Sequence, residues 1–253
     1  MKVRILGSGY GVCKVKKRFS LDSRHRGGVI IDDRILIDAP SDIFEVASEL
    51  GFSDMFAKVS EIFISHSHEG HFSLEAIETL AGMRRVRVFA SGEVLALIPE
   101  NDNIETVELF PFMPIEISGY TILPLPANHE TEGGEVCLNF LISKEKTLYY
   151  GLDGAGINLQ VYKLLRGRCV DAFILDCALE LKGYTKASMS HGNLLEAVRL
   201  RDILVDSGIC KSDAKFLLSH IPTDRRRSIH DELSEEAKKH GFTVAYDGYF
   251  MIC

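Results

Sequence analysis

Short apolar runs separated by turn residues fill the first half of the chain. Val3–Leu6, Val29–Ile31, Ile35–Asp38, Ile62–Ser65, Val86–Ala90, Tyr120–Leu125 and Val136–Ile142 have the length and bounding residues of strands. Ser118-Gly119 falls where a hairpin would turn. Longer segments with a helical period come between and after them. Leu194, Leu195, Val198, Leu204 and Val205 mark one face of a helix over Asn193–Ser207, with Asn193 as its N-cap. Similar periodicity predicts helices over Asp42–Leu50, Leu74–Gly82, Leu159–Arg166 and Ile229–Lys239. Lys215–Ser219, Phe242–Ala245 and Tyr249–Ile252 read as further strands. The pattern joins β-meanders to later β-α-β units, with no repeat, low-complexity tract or Pro/Gly-rich linker, so residues 1–253 read as a single α/β domain. Two stacked sheets with helices outside accommodate this many strands.

Composition narrows the class without naming it. Apolar residues make up 46% of the chain and charged ones 26%, which suits a folded globular protein rather than a disordered one. A formal charge of −7 argues against a surface that coats nucleic acid. No apolar run has the length of a signal peptide or membrane span, so the expected location is the cytoplasm. The six cysteines (Cys13, Cys137, Cys169, Cys177, Cys210 and Cys253) form no C-x-x-C pair, and most are expected to be small buried hydrophobes.

The chemistry concentrates in one stretch. Ile62-Phe63-Ile64-Ser65 runs directly into His66-Ser67-His68-Glu69-Gly70-His71. Residues two apart on a strand project to one side, so His66 and His68 can converge on one ion, while a turn at Gly70 aims His71 at a neighbouring position. Imidazole is a normal ligand for zinc and several other divalent metals. Three later apolar runs each end in another potential ligand: His129 after Leu123–Asn128, Asp153 after Leu148–Leu152 and His220 after Phe216–Ser219. Singly, each could be a capping or loop residue; the repetition favours a metal site. A carboxylate such as Asp153 can bridge two ions about 3.5–4 Å apart, a common hydrolytic arrangement.

In order and spacing these motifs resemble the metallo-β-lactamase superfamily over essentially the whole chain, beginning with Asp38 in Leu36-Ile37-Asp38-Ala39-Pro40. Gly7-Ser8-Gly9, Leu175-Asp176-Cys177, Ser190-His191-Gly192-Asn193-Leu194, Ser219-His220-Ile221 and Ala245-Tyr246-Asp247-Gly248 are most similar to its phosphoribosyl cyclic phosphate phosphodiesterase branch. The resemblance implies a four-layer αββα sandwich and one or two divalent ions, Zn or Mn. It implies that His66, His68 and His129 hold one ion, that His71 and His220 hold the other, and that Asp153 lies between them. His191 would stand beside the phosphate, binding a non-bridging oxygen or protonating the leaving group, while Asp38 and Asp176 would support the ligands and loops around them.

Two departures stand out. The superfamily carries Asp immediately before its third histidine; this chain has Gly70, so the second ion would keep His71, His220 and Asp153 unless Glu69 substitutes. Three protein ligands and water still suffice for a catalytic zinc. Where the phosphodiesterase branch has a cysteine-rich structural zinc loop, residues 11–26 hold only Cys13 and are basic instead: Lys14, Lys16, Lys17, Arg18, Arg24 and Arg26 form either a solvated loop or an entrance for an anion. Arg225-Arg226-Arg227 is read as solvent-facing.

The leading expectation is hydrolysis of a small or cyclic phosphodiester by hydroxide generated on divalent metal, with a small-molecule phosphate ester as partner and no membrane. Nucleic acid, as in transfer-RNA maturation, is disfavoured, and a homodimer is left open. Hydrolysis of an ester, thioester or lactone is the alternative within the same fold. A lapsed site that only binds metal or a small anion ranks third.

Overall fold

The computed structural model describes residues 1–11, 21–52, 54–222 and 229–253. Cys13, Lys14, Lys16, Lys17, Arg18 and Arg225–Arg227 lie outside them. The strands are β1 (Lys2–Gly7), β2 (Gly9–Tyr10), β3 (Gly28–Ile31), β4 (Ile35–Ile37), β5 (Glu61–Phe63), β6 (Val86–Ala90), β7 (Ile104–Glu108) and β8 (Ile115–Ile117). They continue as β9 (Tyr120–Pro126), β10 (Leu138–Ser143), β11 (Thr147–Gly151), β12 (Ala172–Asp176), β13 (Lys215–Ser219), β14 (Ile221–Pro222), β15 (Phe242–Val244) and β16 (Phe250–Ile252). Among them run the helices α1 (Ile43–Glu49), α2 (Leu74–Met83), α3 (Gly92–Leu95), α4 (Leu159–Leu165), α5 (Leu194–Asp206) and α6 (Ile229–Lys239).

These strands form two seven-stranded sheets, ordered β16-β1-β3-β4-β5-β6-β7 and β15-β13-β12-β11-β10-β9-β8, with β14 and β2 as a small separate pair. Side-chain alternation explains the layering. Ile5, Ile35, Ile37 and Phe63 face inward against Phe140, Leu148, Tyr150 and Ile174 of the other sheet. Their neighbours Leu6, Leu36 and Ile62 face outward onto Ile43 and Val46 of α1 and Ile77 and Leu80 of α2. On the opposite side Tyr149, Phe173 and Leu218 meet Val161 of α4, Leu204 of α5 and Leu233 of α6. The result is the αββα sandwich. Strands buried on both faces read as unbroken apolar runs, which is why they stand out in the sequence.

Local chemistry sets several boundaries. Ser118 and Gly119 both hold positive φ, 53° and 80°, as a two-residue turn between antiparallel strands requires. Asn193 caps α5 through a reciprocal capping box with Glu196. Leu195, read as part of the buried face of that helix, is instead exposed; Leu194, Ala197 and Leu204 carry the contact. The strand Ile104–Glu108, which the apolar pattern does not reveal, sits at a sheet edge with no fully buried residue. Of the described cysteines, Cys137, Cys177 and Cys210 are buried, and none of the described set is in a disulfide.

Arg24 and Arg26 depart from the reading as a basic, solvated loop or anion entrance. Arg24 is buried and donates to Ser8 Oγ at 2.8 Å and the Ala245 carbonyl at 2.5 Å, with His230 Nδ1 at 2.8 Å. Burial lowers its pKa to about 10, which leaves it charged at neutral pH. Arg26 pairs with Asp42 at 2.6 Å. Fixed acceptors, not water, hold both guanidiniums.

Candidate metal centre

Strand ends from both sheets deliver most of the functional side chains. Asp38 follows β4, His66 follows β5, His129 follows β9, Asp153 follows β11, Asp176 ends β12 and His220 follows β13. Residues that must leave a strand and turn at once adopt tight backbone: Asp38, Asp153 and His220 have φ of 61°, 47° and 63°. Asp and His tolerate this left-handed region better than most residues, at some cost in strain. The chain turns at Gly70 as expected, without positive φ there; the amides of His71 and Phe72 close the turn by donating to the His68 carbonyl at 2.8 and 2.9 Å.

The donor atoms fall into three overlapping groups, each with all its ligand atoms within 4.8 Å of one another: His66, His68 and His129; His66, His71 and Asp153; Asp153, Asp176, His191 and His220. His68 Nδ1 lies 3.0 Å from His66 Nε2 and 3.2 Å from His129 Nε2. Those separations approach the ~3.3 Å between atoms that share a tetrahedral ion at about 2.0–2.1 Å. His220 Nε2 is 2.8 Å from Asp153 Oδ1, and His71 Nε2 abuts Asp153 Oδ2. Asp153 belongs to the second and third groups, and its Oδ2 also lies 3.5 Å from His66 Nε2 of the first. His71 and His220, expected to share an ion, are grouped with Asp153 separately, while Asp176 and His191 stand beside His220.

Supporting bonds fix which nitrogens face the centre. The His129 Nδ1–H donates to the Ser190 carbonyl at 3.3 Å, an atom that can only accept, so Nε2 presents a lone pair. His71 Nδ1–H donates to Asp38 at 2.7 Å, and Asp38 also accepts from Tyr150 Oη at 2.7 Å and the Ser65 amide at 2.8 Å. The buried Nε2 atoms of His71 and His220 then have no hydrogen-bond partner among the described residues. Buried imidazole nitrogen aimed at a carboxylate without a hydrogen bond is what a divalent cation would satisfy, and the donor set suits zinc or manganese. Electrostatics agree. Burial opposes ionisation of Asp153, yet His220 and His71 hold its carboxyl well below the usual range. Burial pushes the His66 and His129 imidazoles down, which leaves them neutral and able to ligate. In His71 the same burial is overcome by Asp153 and Asp38, which raise its pKa to about 10.

His191 donates from Nδ1 to Asp176 Oδ2 at 3.0 Å and lies 3.3 Å from Asp153 Oδ1. Burial lowers its pKa, but the Asp176 bond and charge raise it further, so the net shift is upward. Asp176 also accepts from the Gly192 and Ala178 amides, both at 2.9 Å, tying the loop in place. Glu69 stands outside all three groups: its side chain is 78% exposed and 3.6 Å from Arg26. A Cβ at Gly70 would meet nothing within 4 Å.

Sequence reasoning missed two residues here. Tyr10 sets its ring edge-on to both His191 and His220 at 5.0 Å. It belongs to the two-residue strand beside the one that follows His220, a pairing too short to leave a periodic signal. Glu135 is buried and accepts from the Ser67 amide and hydroxyl at 3.0 and 2.5 Å, bracing the turn between His66 and His68. An acidic residue ahead of the apolar strand β10 was the only available hint.

No sequence-family profile matches the chain, and no curated protein matches it. Solved structures do. The metallo-β-lactamase fold protein YhfI from Bacillus subtilis is 20% identical, with a TM-score of 0.75 over 99% of this chain and 98% of its own. A diphosphatase from the PhnP family is 20% identical at a TM-score of 0.73, covering 100% and 97%. Zn(2+)-bound PqqB from Methylobacterium extorquens is 17% identical at 0.74, covering both chains fully at 100%. The chain has the metallo-β-lactamase fold.

Proposed function

We propose that the protein is a metal-dependent hydrolase of a small or cyclic phosphodiester. The observation that carries this reading is the convergence of six imidazoles and two carboxylates from five strand ends and the loop before α5, with buried Nε2 atoms left without hydrogen bonds. When bound there, a divalent cation supplies Lewis-acid polarisation of an ester oxygen and acidifies water at neutral pH. His66, His68 and His129 would hold one ion; His71, His220 and Asp153 would hold a second, with Asp176 in reach.

The remaining residues orient substrate and move protons. Asp38 keeps the His71 tautomer by accepting its Nδ1–H. Asp176 does the same for His191 and favours its protonated form, so that His191 Nε2–H can stabilise a phosphoryl oxygen or pass its proton to the departing alkoxide. Tyr10, half-exposed above His191 and His220, bounds the space a phosphate would occupy. A histidine biased toward its protonated form favours a phosphodiester, whose non-bridging oxygens are already negative before attack, over a lactone, whose carbonyl is neutral until attacked. That a protein of similar fold is a diphosphatase points the same way.

The test is turnover by purified protein supplied with Mn²⁺ or Zn²⁺. An activated phosphodiester and a cyclic nucleotide or sugar phosphate would be compared with a lactone and a thioester. The expected result is phosphodiester hydrolysis that chelation abolishes and His68→Ala reduces at least about 100-fold. Hydrolysis of only the carboxylic esters, or none with any metal by folded protein, overturns the proposal.

A further inference from the structure

Outside the centre, one histidine repeats the arrangement of His71. The His25 Nδ1–H donates to Asp247 Oδ2 at 2.8 Å, as His71 donates to Asp38. Its ring is buried, with 5% of the side chain exposed, and its Nε2 has no hydrogen-bond partner among the described residues. That nitrogen faces two carboxylates on adjacent turns of α1, Glu45 and Glu49, whose ligand atoms lie within 4.8 Å of it and of each other. The 3.8 Å from Nε2 to Glu49 Oε2 is too long for a hydrogen bond and close to the ~3.3 Å edge expected around a small tetrahedral ion.

The surroundings favour a cation at this point. Glu49 ends α1, where the helix dipole is negative, and its carboxylate lies toward the buried Nε2. Asp247 is held rigidly, accepting as well from the Ser8 amide and hydroxyl, each at 2.8 Å, and from the His25 amide at 2.7 Å. A carboxylate that fixes a histidine tautomer, with the opposite nitrogen turned to a pair of acidic side chains, is a common support for a bound metal.

We propose that His25, Glu45 and Glu49 form a second, separate site for a divalent transition-metal cation of the zinc class. None of the three belongs to the central donor groups. One imidazole nitrogen and two carboxylate oxygens suit zinc or manganese, with water completing the coordination. The bound ion clamps α1 to the segment entering β3 and, through Asp247, to the turn before β16. The rival account is a proton on Nε2, with the imidazolium lying between Asp247 and Glu49.

Zinc counting on the intact chain separates the two. Wild-type protein, the double variant E45Q/E49Q and the central variant H66A/H68A are equilibrated with micromolar buffered Zn²⁺, filtered free of loose metal and assayed for zinc per chain. Glu45 and Glu49 are exposed, so the double variant is expected to fold, and circular dichroism in chelator checks this. E45Q/E49Q should hold one equivalent less than wild type, and a variant of an unrelated acidic pair, E235Q/E236Q, should lose none. H66A/H68A should keep the outer equivalent, and a zinc-edge anomalous map should place it beside His25 Nε2. Added zinc should raise the melting temperature of H66A/H68A, but not when E45Q/E49Q is combined with it. Equal zinc in wild type and E45Q/E49Q, or an anomalous map without a peak at His25, overturns the site and leaves the central centre untouched.

Discussion

The two poles of the central cluster are built from different chemistry. At one, His66, His68 and His129 offer nitrogen alone, and His68 is exposed. At the other, Asp153 and Asp176 bring negative charge to His220 and His191, and all four are buried. The first pole has no carboxylate to balance, and burial keeps its His66 and His129 rings neutral while it waits for an ion. The second must keep its carboxylates balanced at all times, which accounts for the network of imidazole partners around Asp153. Gly70 brings no carboxylate to the cluster, but the second pole already has two, and Asp176 Oδ2 lies 4.0 Å from His220 Nε2.

Asp153 is the test with the largest expected effect, because it touches both metal-binding arrangements. Asp153→Ala should lower kcat/KM by at least about 10³-fold, from the several kcal/mol a metal site contributes, and reduce bound metal in the same preparation. If metal content and rate both survive, the poles are independent of each other. Asp176→Asn should cost about 10–100-fold. It should also move the alkaline limb of the pH–rate profile downward. On the proposed mechanism His191, whose pKa is raised, acts in its protonated form, so activity is present below that pKa and is lost as pH rises through it; removing the Asp176 charge brings the loss to lower pH. A profile that keeps its limb while only the rate falls would assign Asp176 to the loop alone.

Smaller effects should follow at the turn. Gly70→Asp meets open space and no left-handed backbone, so it should fold normally and tighten binding of the second metal equivalent by about tenfold, read by competition with a chelator. No change would mean that Asp176 already fills the role. Glu69→Gln should change kcat/KM less than twofold, since its carboxylate points to solvent and Arg26.

How much of this was legible beforehand followed from burial. The inner strands announced themselves because both faces are covered, and the strand ends carrying His66, His129, Asp153 and His220 could be read as runs that stop at a ligand. The strand Ile104–Glu108 stayed hidden because an edge strand need not alternate strictly. Arg24 looked like one more charge in a basic stretch; only the fold reveals that Ser8, Ala245 and His230 surround it. The grouping of His191 and Asp176 with His220 depends on loop geometry that no spacing encodes. The same holds for His25, which no motif or spacing singles out.

The left-handed backbone at Asp38, Asp153 and His220 has a consequence for how such a protein can change. Glycine takes that conformation more freely than any side chain, so backbone freedom alone would favour it at each position. At Asp38 the gain is opposed by the buried His71, Tyr150 and Ser65 donors that would lose their acceptor, so the carboxylate that orients the cluster also holds the fold together there.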